Sequence, residues 1–206
     1  MNPRQTSAAP PESGETVSFD SEALIVVDAQ DRVLGYGTKA ELHRGSGTLH
    51  RAFSIFLFNS KGEVLLQRRS EQKPLWPGYW SNTCCSHPRQ GESNGIATQR
   101  RLKEELGVAA PLSFTHQFRY QAQFDDFGAE HELCSVYVGC TYATPSPNPQ
   151  EISDWQWISP NALDDWLDRT PETLTPWFKI EWAALRSGHH ADTLESIGLK
   201  WHPGGA

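Results

Sequence analysis

The triplet Glu130-His131-Glu132 lies in a β-rich run, EHELCSVYVGCTY. Alternate residues of a strand share a face, so the two glutamates point together while His131 faces away. Two carboxylates side by side suit a metal ion or a shared proton. Cys85 and His87 in CCSH have the same spacing, which puts a thiol and an imidazole on one side if that stretch is extended. With His43 and His50 the chain offers three imidazoles and two carboxylates, a donor set for a divalent transition metal. Each group also has a plainer reading. A Glu-x-Glu strand can be a solvated face, a cysteine a small buried hydrophobe, and Trp76, Trp80 and Trp177 anchors of core or loop. Spacing alone leaves both readings open.

Bringing residues 43 to 177 together requires a folded scaffold, and composition is consistent with one. The chain has 206 residues, 18 Lys and Arg against 25 Asp and Glu, and a formal charge of −7. That length fits one domain with decorated ends. The negative balance disfavours a grip on nucleic acid or an anionic membrane, so an anionic substrate needs a local basic pocket. No apolar run approaches membrane-spanning length, and MNPRQTSAAPPESGETVSFD lacks a secretory hydrophobic stretch. A soluble, cytoplasmic protein is expected. Its four cysteines, with Cys84 and Cys85 adjacent, make a poor disulfide framework and read as reduced thiols.

Residues 1–20, rich in Ser, Pro, Gly and Glu, are expected to form a disordered tail. Deleting residues 2–18 should then leave folding and metal content intact. ALIVVDAQDRVLGYGTK predicts strand, turn and strand, and HRAFSIFLFNSKGEVLLQRRS a second hairpin about Asn59 to Gly62. The turn-rich segment that follows predicts a functional loop with a short strand near Trp80 to Cys84. SNGIATQRRLKEEL predicts a helix with Ser93 as N-cap and Gly107 as stop. Two longer strands, LSFTHQFRYQAQF and EHELCSVYVGCTY, flank a turn at Asp125 to Gly128, and SDWQWIS is a further strand. Helices near Pro160 to Arg169 and Pro176 to Arg186 close a domain spanning 21–186. Residues 187–206 form a C-terminal extension expected to be loosely held. The fold class is α+β, a sandwich rather than a doubly wound sheet.

Glu92 followed by Arg100-Arg101-Leu102-Lys103-Glu104-Glu105-Leu106-Gly107-Val108 resembles the Nudix box, whose carboxylates hold Mg²⁺ on diphosphate groups. Ser86 stands where that box opens on glycine, and Arg101 where it has the glutamate that helps assemble metals for hydrolysis. These departures resemble one Nudix branch. LLQRRSEQKPLWPGYWSNTCCSHPRQGES, ATQRRLKEELGV, FRYQAQF, EHELCSVY and TPW, in this order, are similar to type I isopentenyl-diphosphate Δ-isomerase over roughly residues 24–182. The implied fold is a Nudix-like α/β/α sandwich with a mixed β-sheet and extra N-terminal strands.

The resemblance implies interconversion of isopentenyl and dimethylallyl diphosphate in isoprenoid biosynthesis, through protonation and deprotonation about a tertiary carbocation. Such chemistry needs an acid and a base on opposite faces of the alkene and a site closed to water. The family cysteine falls on Cys85, which leaves Cys84 as packing. Its glutamate falls on Glu132, with Tyr120 hydrogen-bonding nearby and Trp177 lining the hydrocarbon end. Which group protonates first stays open. A single Mn²⁺ or Zn²⁺ would be held by His43, His50, His87, Glu130 and Glu132, and Mg²⁺ by Glu105 and the backbone carbonyl of Cys85. Lys39, Arg69, Lys73 and Arg101 match the positions that neutralise the diphosphate. The partner is thus a small-molecule diphosphate, without nucleic acid or membrane, for a monomer or homodimer. Two other readings remain. A Nudix hydrolase would use Glu92, Glu104 and Glu105, against which Arg101 stands, and a non-catalytic metal- or diphosphate-binding module would keep the fold without turnover.

Overall fold

A computed structural model describes residues 14–201. The chain forms β1 (Ala23–Val27), β2 (Val33–Thr38), α1 (Lys39–Leu42), β3 (His50–Phe58), β4 (Val64–Arg69), β5 (Trp80–Ser81), β6 (Cys84–Ser86) and α2 (Asn94–Leu106). It continues through β7 (Leu112–Phe124), β8 (Gly128–Cys140), β9 (Ile152–Ile158), α3 (Pro160–Arg169), α4 (Pro176–Arg186) and α5 (Ala191–Ser196). Both predicted hairpins form, β1 with β2 and β3 with β4. The stretch expected as one short strand is instead two, β5 on β4 and β6 on β3, because the chain switches neighbours at Asn82-Thr83. The short helix α1 falls among the first strands, where no helix was expected. Its start is a capping box in which the Thr38 hydroxyl and the Glu41 carboxylate each satisfy the other's backbone N–H.

β3 is the spine. It runs parallel to β8 through nine register pairs, from His50 with Glu132 to Phe58 with Cys140. Such a strand is covered on both faces, which explains its continuous apolar run. Phe53, Ile55 and Leu57 pack against Leu102 and Leu106 of α2. Ala52, Phe56 and Phe58 face the other way, toward Trp177, Phe178, Trp182 and Leu185 of α4. Helices on both faces of a mixed sheet make the expected α+β sandwich. Ser93 caps α2 by accepting from the Ile96 N–H, and Gly107 ends it at φ 66°, where a Cβ would be strained.

Both ends of the described chain are held against this domain. Gly14 to Asp20 fall within the expected tail, yet the Val17 carbonyl accepts from Arg89 at 3.1 Å and from Arg101 at 2.9 Å. Residues 1–13 lie outside the described residues. Leu194, Leu199 and Trp201 are buried in the main core, and the Trp201 indole N–H donates to the Leu185 carbonyl at 3.2 Å. A loose end was expected because these three apolar residues are scattered among His, Gly and Ser, and one helical turn suffices to gather them. Among the described residues no helix is long and apolar enough to cross a membrane.

Candidate active site

His43, His50, His87, Glu130 and Glu132 converge, with one donor atom from each within 4.8 Å of the others. α1 ends at His43, β3 begins at His50, β6 leads into His87, and β8 carries both glutamates. The parallel register sets His50 directly beside Glu132. The imidazole Nδ1 of His43 contacts the Lys39 carbonyl at 2.6 Å, and that of His50 the Thr48 carbonyl at 2.7 Å. A carbonyl only accepts, so Nδ1 carries a proton in both rings. His50 Nε2 then presents a lone pair to the centre, whereas at His43 the Glu130 carboxylate outweighs burial and raises the imidazole above its ordinary 6.5, so a cation bound there displaces a proton from its Nε2. His87 Nε2 meets Glu132 Oε1 at 2.8 Å.

This cluster fits a divalent cation. His43 Nε2 and Glu130 Oε2 lie 2.9 Å apart, yet neither has an aligned hydrogen-bond partner, and His50 Nε2 has none either. Buried polar atoms are rarely left so, and three of them within one cluster of nitrogen and oxygen donors suit a divalent cation. Burial pushes His50 down to about 4, helped by the His43 charge, and pushes His87 well below its usual range. Neutral imidazole is the ligating form. The carboxylates split. Burial opposes ionisation of both, but His43 overcomes it at Glu130 and holds that group at about 2. Glu132 is raised well above the usual range by burial and by the Glu130 charge beside it.

Cys85 and Cys84 face opposite ways, as strand alternation requires. Cys84 packs in the α2-side core, its thiol 3.3 Å from Glu105 Oε1. Cys85 opens onto a cavity of about 260 Å³ shared with His87, Tyr120, Glu130, Glu132 and Trp177. Its thiol donates to Asn82 Oδ1 at 2.9 Å, and the Trp177 indole N–H donates to Sγ at 3.2 Å. Burial, then the nearby Glu181 carboxyl, pushes the thiol up to about 12. Tyr120, from the facing register position on β7, donates its hydroxyl to Glu132 Oε2 at 2.7 Å.

Lys39, Arg69, Lys73 and Arg101 line the same cavity and form its basic end. Arg69 is pinned by the Trp76 and Leu75 carbonyls, and its guanidinium lies 5.3 Å from the Trp177 ring. Trp76 has φ 47°, a left-handed conformation costly for so bulky a residue, at the turn that aims those carbonyls. Lys73 pairs with Glu151, which also meets Arg101 at 3.3 Å. Burial, with repulsion from Lys73, brings Lys39 down to about 8.

Glu105 stands apart from the cavity. Arg101, one helical turn before it on α2, binds its Oε1 through Nε at 2.9 Å and Nη2 at 2.7 Å. Sequence reasoning passed over Ser81, Glu151, Glu181 and the Val17–Ser18 segment. No spacing or neighbouring residue in the sequence tied Glu151 or Glu181 to the site.

A NUDIX-domain family profile matches residues 48–178. Isopentenyl-diphosphate Delta-isomerase 1 of Photorhabdus laumondii is 42% identical over 170 residues, covering 82% of this chain and 97% of the relative. The isopentenyl-diphosphate Delta-isomerase of Serratia proteamaculans is 45% identical over 157 residues, covering 76% and 87%. Among solved structures, DR0079 from Deinococcus radiodurans superposes with a TM-score of 0.59 at 26% identity, over 71% of this chain and 89% of that one.

Proposed function

This chain belongs to the isopentenyl-diphosphate Δ-isomerase family of NUDIX-domain proteins, and on that footing we propose that it interconverts isopentenyl and dimethylallyl diphosphate with Cys85 and Glu132 as its acid–base pair. The observation that carries the assignment is one cavity in which a thiol and a tyrosine-bound carboxyl meet beneath a basic rim. The reaction takes a proton onto one carbon and off its neighbour, so it needs two groups that exchange protonation states. By microscopic reversibility, whichever of Cys85 and Glu132 is the acid in one direction is the base in the other. Tyr120 holds Glu132 in place and can pass a proton along the same bond. Trp177 fixes Cys85 and offers an aromatic face to the cationic intermediate. Leu75, Trp177 and Tyr120 line the cavity with apolar surface, which disfavours water beside that cation.

His43, His50, His87, Glu130 and Glu132 would hold one Mn²⁺ or Zn²⁺, and a cation bound there lowers the proton affinity of the Glu132 carboxyl and strengthens its acid form. Lys39, Arg69, Lys73 and Arg101 receive the diphosphate. Mg²⁺ would accompany it, against Glu105 and the Cys85 carbonyl, provided Arg101 gives up part of its hold on Glu105.

Proton NMR of isopentenyl diphosphate in D₂O with metal-loaded protein tests the reading. Dimethylallyl signals carrying deuterium are expected. In Cys85→Ala their rate of appearance should fall by about 10²- to 10⁴-fold with metal content unchanged. Near-native turnover in that variant would refute the role of the thiol.

A further inference from the structure

Glu181 occupies a place where an apolar side chain is expected. It sits on α4 one helical turn after Trp177 and is completely buried beneath the same sheet face. Among the described residues it forms no ion pair, and its Oε2 has no hydrogen-bond partner. Oε1 is 3.6 Å from the Cys134 thiol, which in turn lies 3.5 Å from the Ser54 hydroxyl, and Ser54 also reaches the Glu181 carboxyl. These two neighbours lead to opposite ends of the reaction. Ser54 is the register partner of Cys85, and Cys134 follows Glu132 on the same face of β8.

Each turnover moves one proton from one member of the Cys85–Glu132 pair to the substrate and another from the substrate to the other member. The negative charge of the pair therefore passes from one end to the other. A fixed anion behind both would oppose it at either end, whereas an uncharged acid leaves it free to move. From this placement we propose that Glu181 is a positioning residue for the isomerisation, a buried carboxylic acid that permits charge exchange between Cys85 and Glu132 while protonated and blocks it once ionised. This rests on the isomerase reading above.

The surroundings fit. Burial, only partly offset by Ser54 and Cys134, pushes the Glu181 carboxyl up to about 8, so it is protonated at neutral pH. Its charge pushes up both the Cys85 thiol and the Glu132 carboxyl. The titratable groups facing this region are Cys85 from β6, Glu132 and Cys134 from β8, Tyr120 from β7 and Arg69 from β4. Arg69 is held over Trp177 and makes no ion pair with Glu181.

The test is kcat for isopentenyl diphosphate between about pH 6 and about pH 10 in wild type and Glu181→Gln, which keeps the shape and cannot ionise. Wild-type kcat should fall above about pH 8, and this alkaline limb should move up by about one pH unit or more in the variant. Superimposable profiles from two active proteins would overturn the proposal alone. A metal-loaded wild type inactive at every pH would overturn the isomerase reading, and the proposal with it. If Glu181→Gln does not fold, ¹³C NMR of glutamate-labelled wild type decides. A buried carboxyl losing its proton in step with kcat supports the proposal, and a carboxylate already ionised at about pH 6 refutes it.

Discussion

His50 is fully buried, holds its Nδ1 proton on the Thr48 carbonyl, and among the described residues has no hydrogen-bond partner for Nε2, which lies 3.9 Å from Glu132 Oε1. His50→Ala should therefore cost metal before it costs fold, because alanine keeps the strand and removes one donor. About one ion per chain in the wild type, falling to substoichiometric content in the variant, is expected from elemental analysis after dialysis. Full occupancy would show that the ion sits elsewhere. These residues were legible in sequence because strand alternation fixes what shares a face, so Glu130 with Glu132 and Cys85 with His87 needed only period two. Convergence was not legible from spacing, since it depends on β3 lying beside β8. Glu151 and Glu181 were hidden for a related reason. Each acts on residues far away in the chain, and burial of an acid leaves no local pattern.

At the scale of elements, the two ends of the described chain, from Gly14 and up to Trp201, behave differently from the loose segments their composition implied. Val17 presents its carbonyl to Arg89 and Arg101, while the Ser18 hydroxyl meets the Lys39 ammonium, so this segment braces the basic rim from outside. Deleting residues 2–18 should leave metal content at the wild-type level. Hydrogen bonds to charged groups contribute about 1.5–3 kcal/mol, so the KM for the diphosphate should rise about tenfold while kcat changes less. Steady-state kinetics of the truncated protein checks this, and an unchanged KM would mean that the rim holds itself. The other end is fastened where α5 meets β7, with the His116 and His190 rings stacked at 4.6 Å. Burial, then the His190 charge, brings His116 down to about 4 from its ordinary 6.5. The folded state therefore binds this proton less readily than the unfolded chain does. Stability should be unaffected above about pH 6.5, decline as pH falls from there toward about 4, and level off below. His116→Leu should flatten that part of the thermal-midpoint profile, and an unaltered slope would assign the acid loss to other groups.

For the whole molecule, helix limits and the two hairpins followed from caps, turn residues and period, all of which act within a few residues. The neighbour switch between β5 and β6 did not, because it depends on which edge of the sheet is free once β8 has docked. The family profile covers residues 48–178, so α1 and the first two strands fall outside its match, yet α1 supplies Lys39 and His43 to the site. The parallel docking of His50 beside Glu132, more than eighty residues further along, also bears on the order of events in folding. Closing so long a loop is slow and comes late, so the five donors do not exist as a set until the main sheet is nearly complete. A divalent ion should then leave the refolding rate almost untouched and act on escape from the native state. Stopped-flow unfolding in denaturant should slow on adding Zn²⁺ or Mn²⁺ while the refolding limb stays superimposable. The ion would serve as a latch fitted after the door has shut, and a chain emerging from the ribosome would have no use for it until β8 had been made.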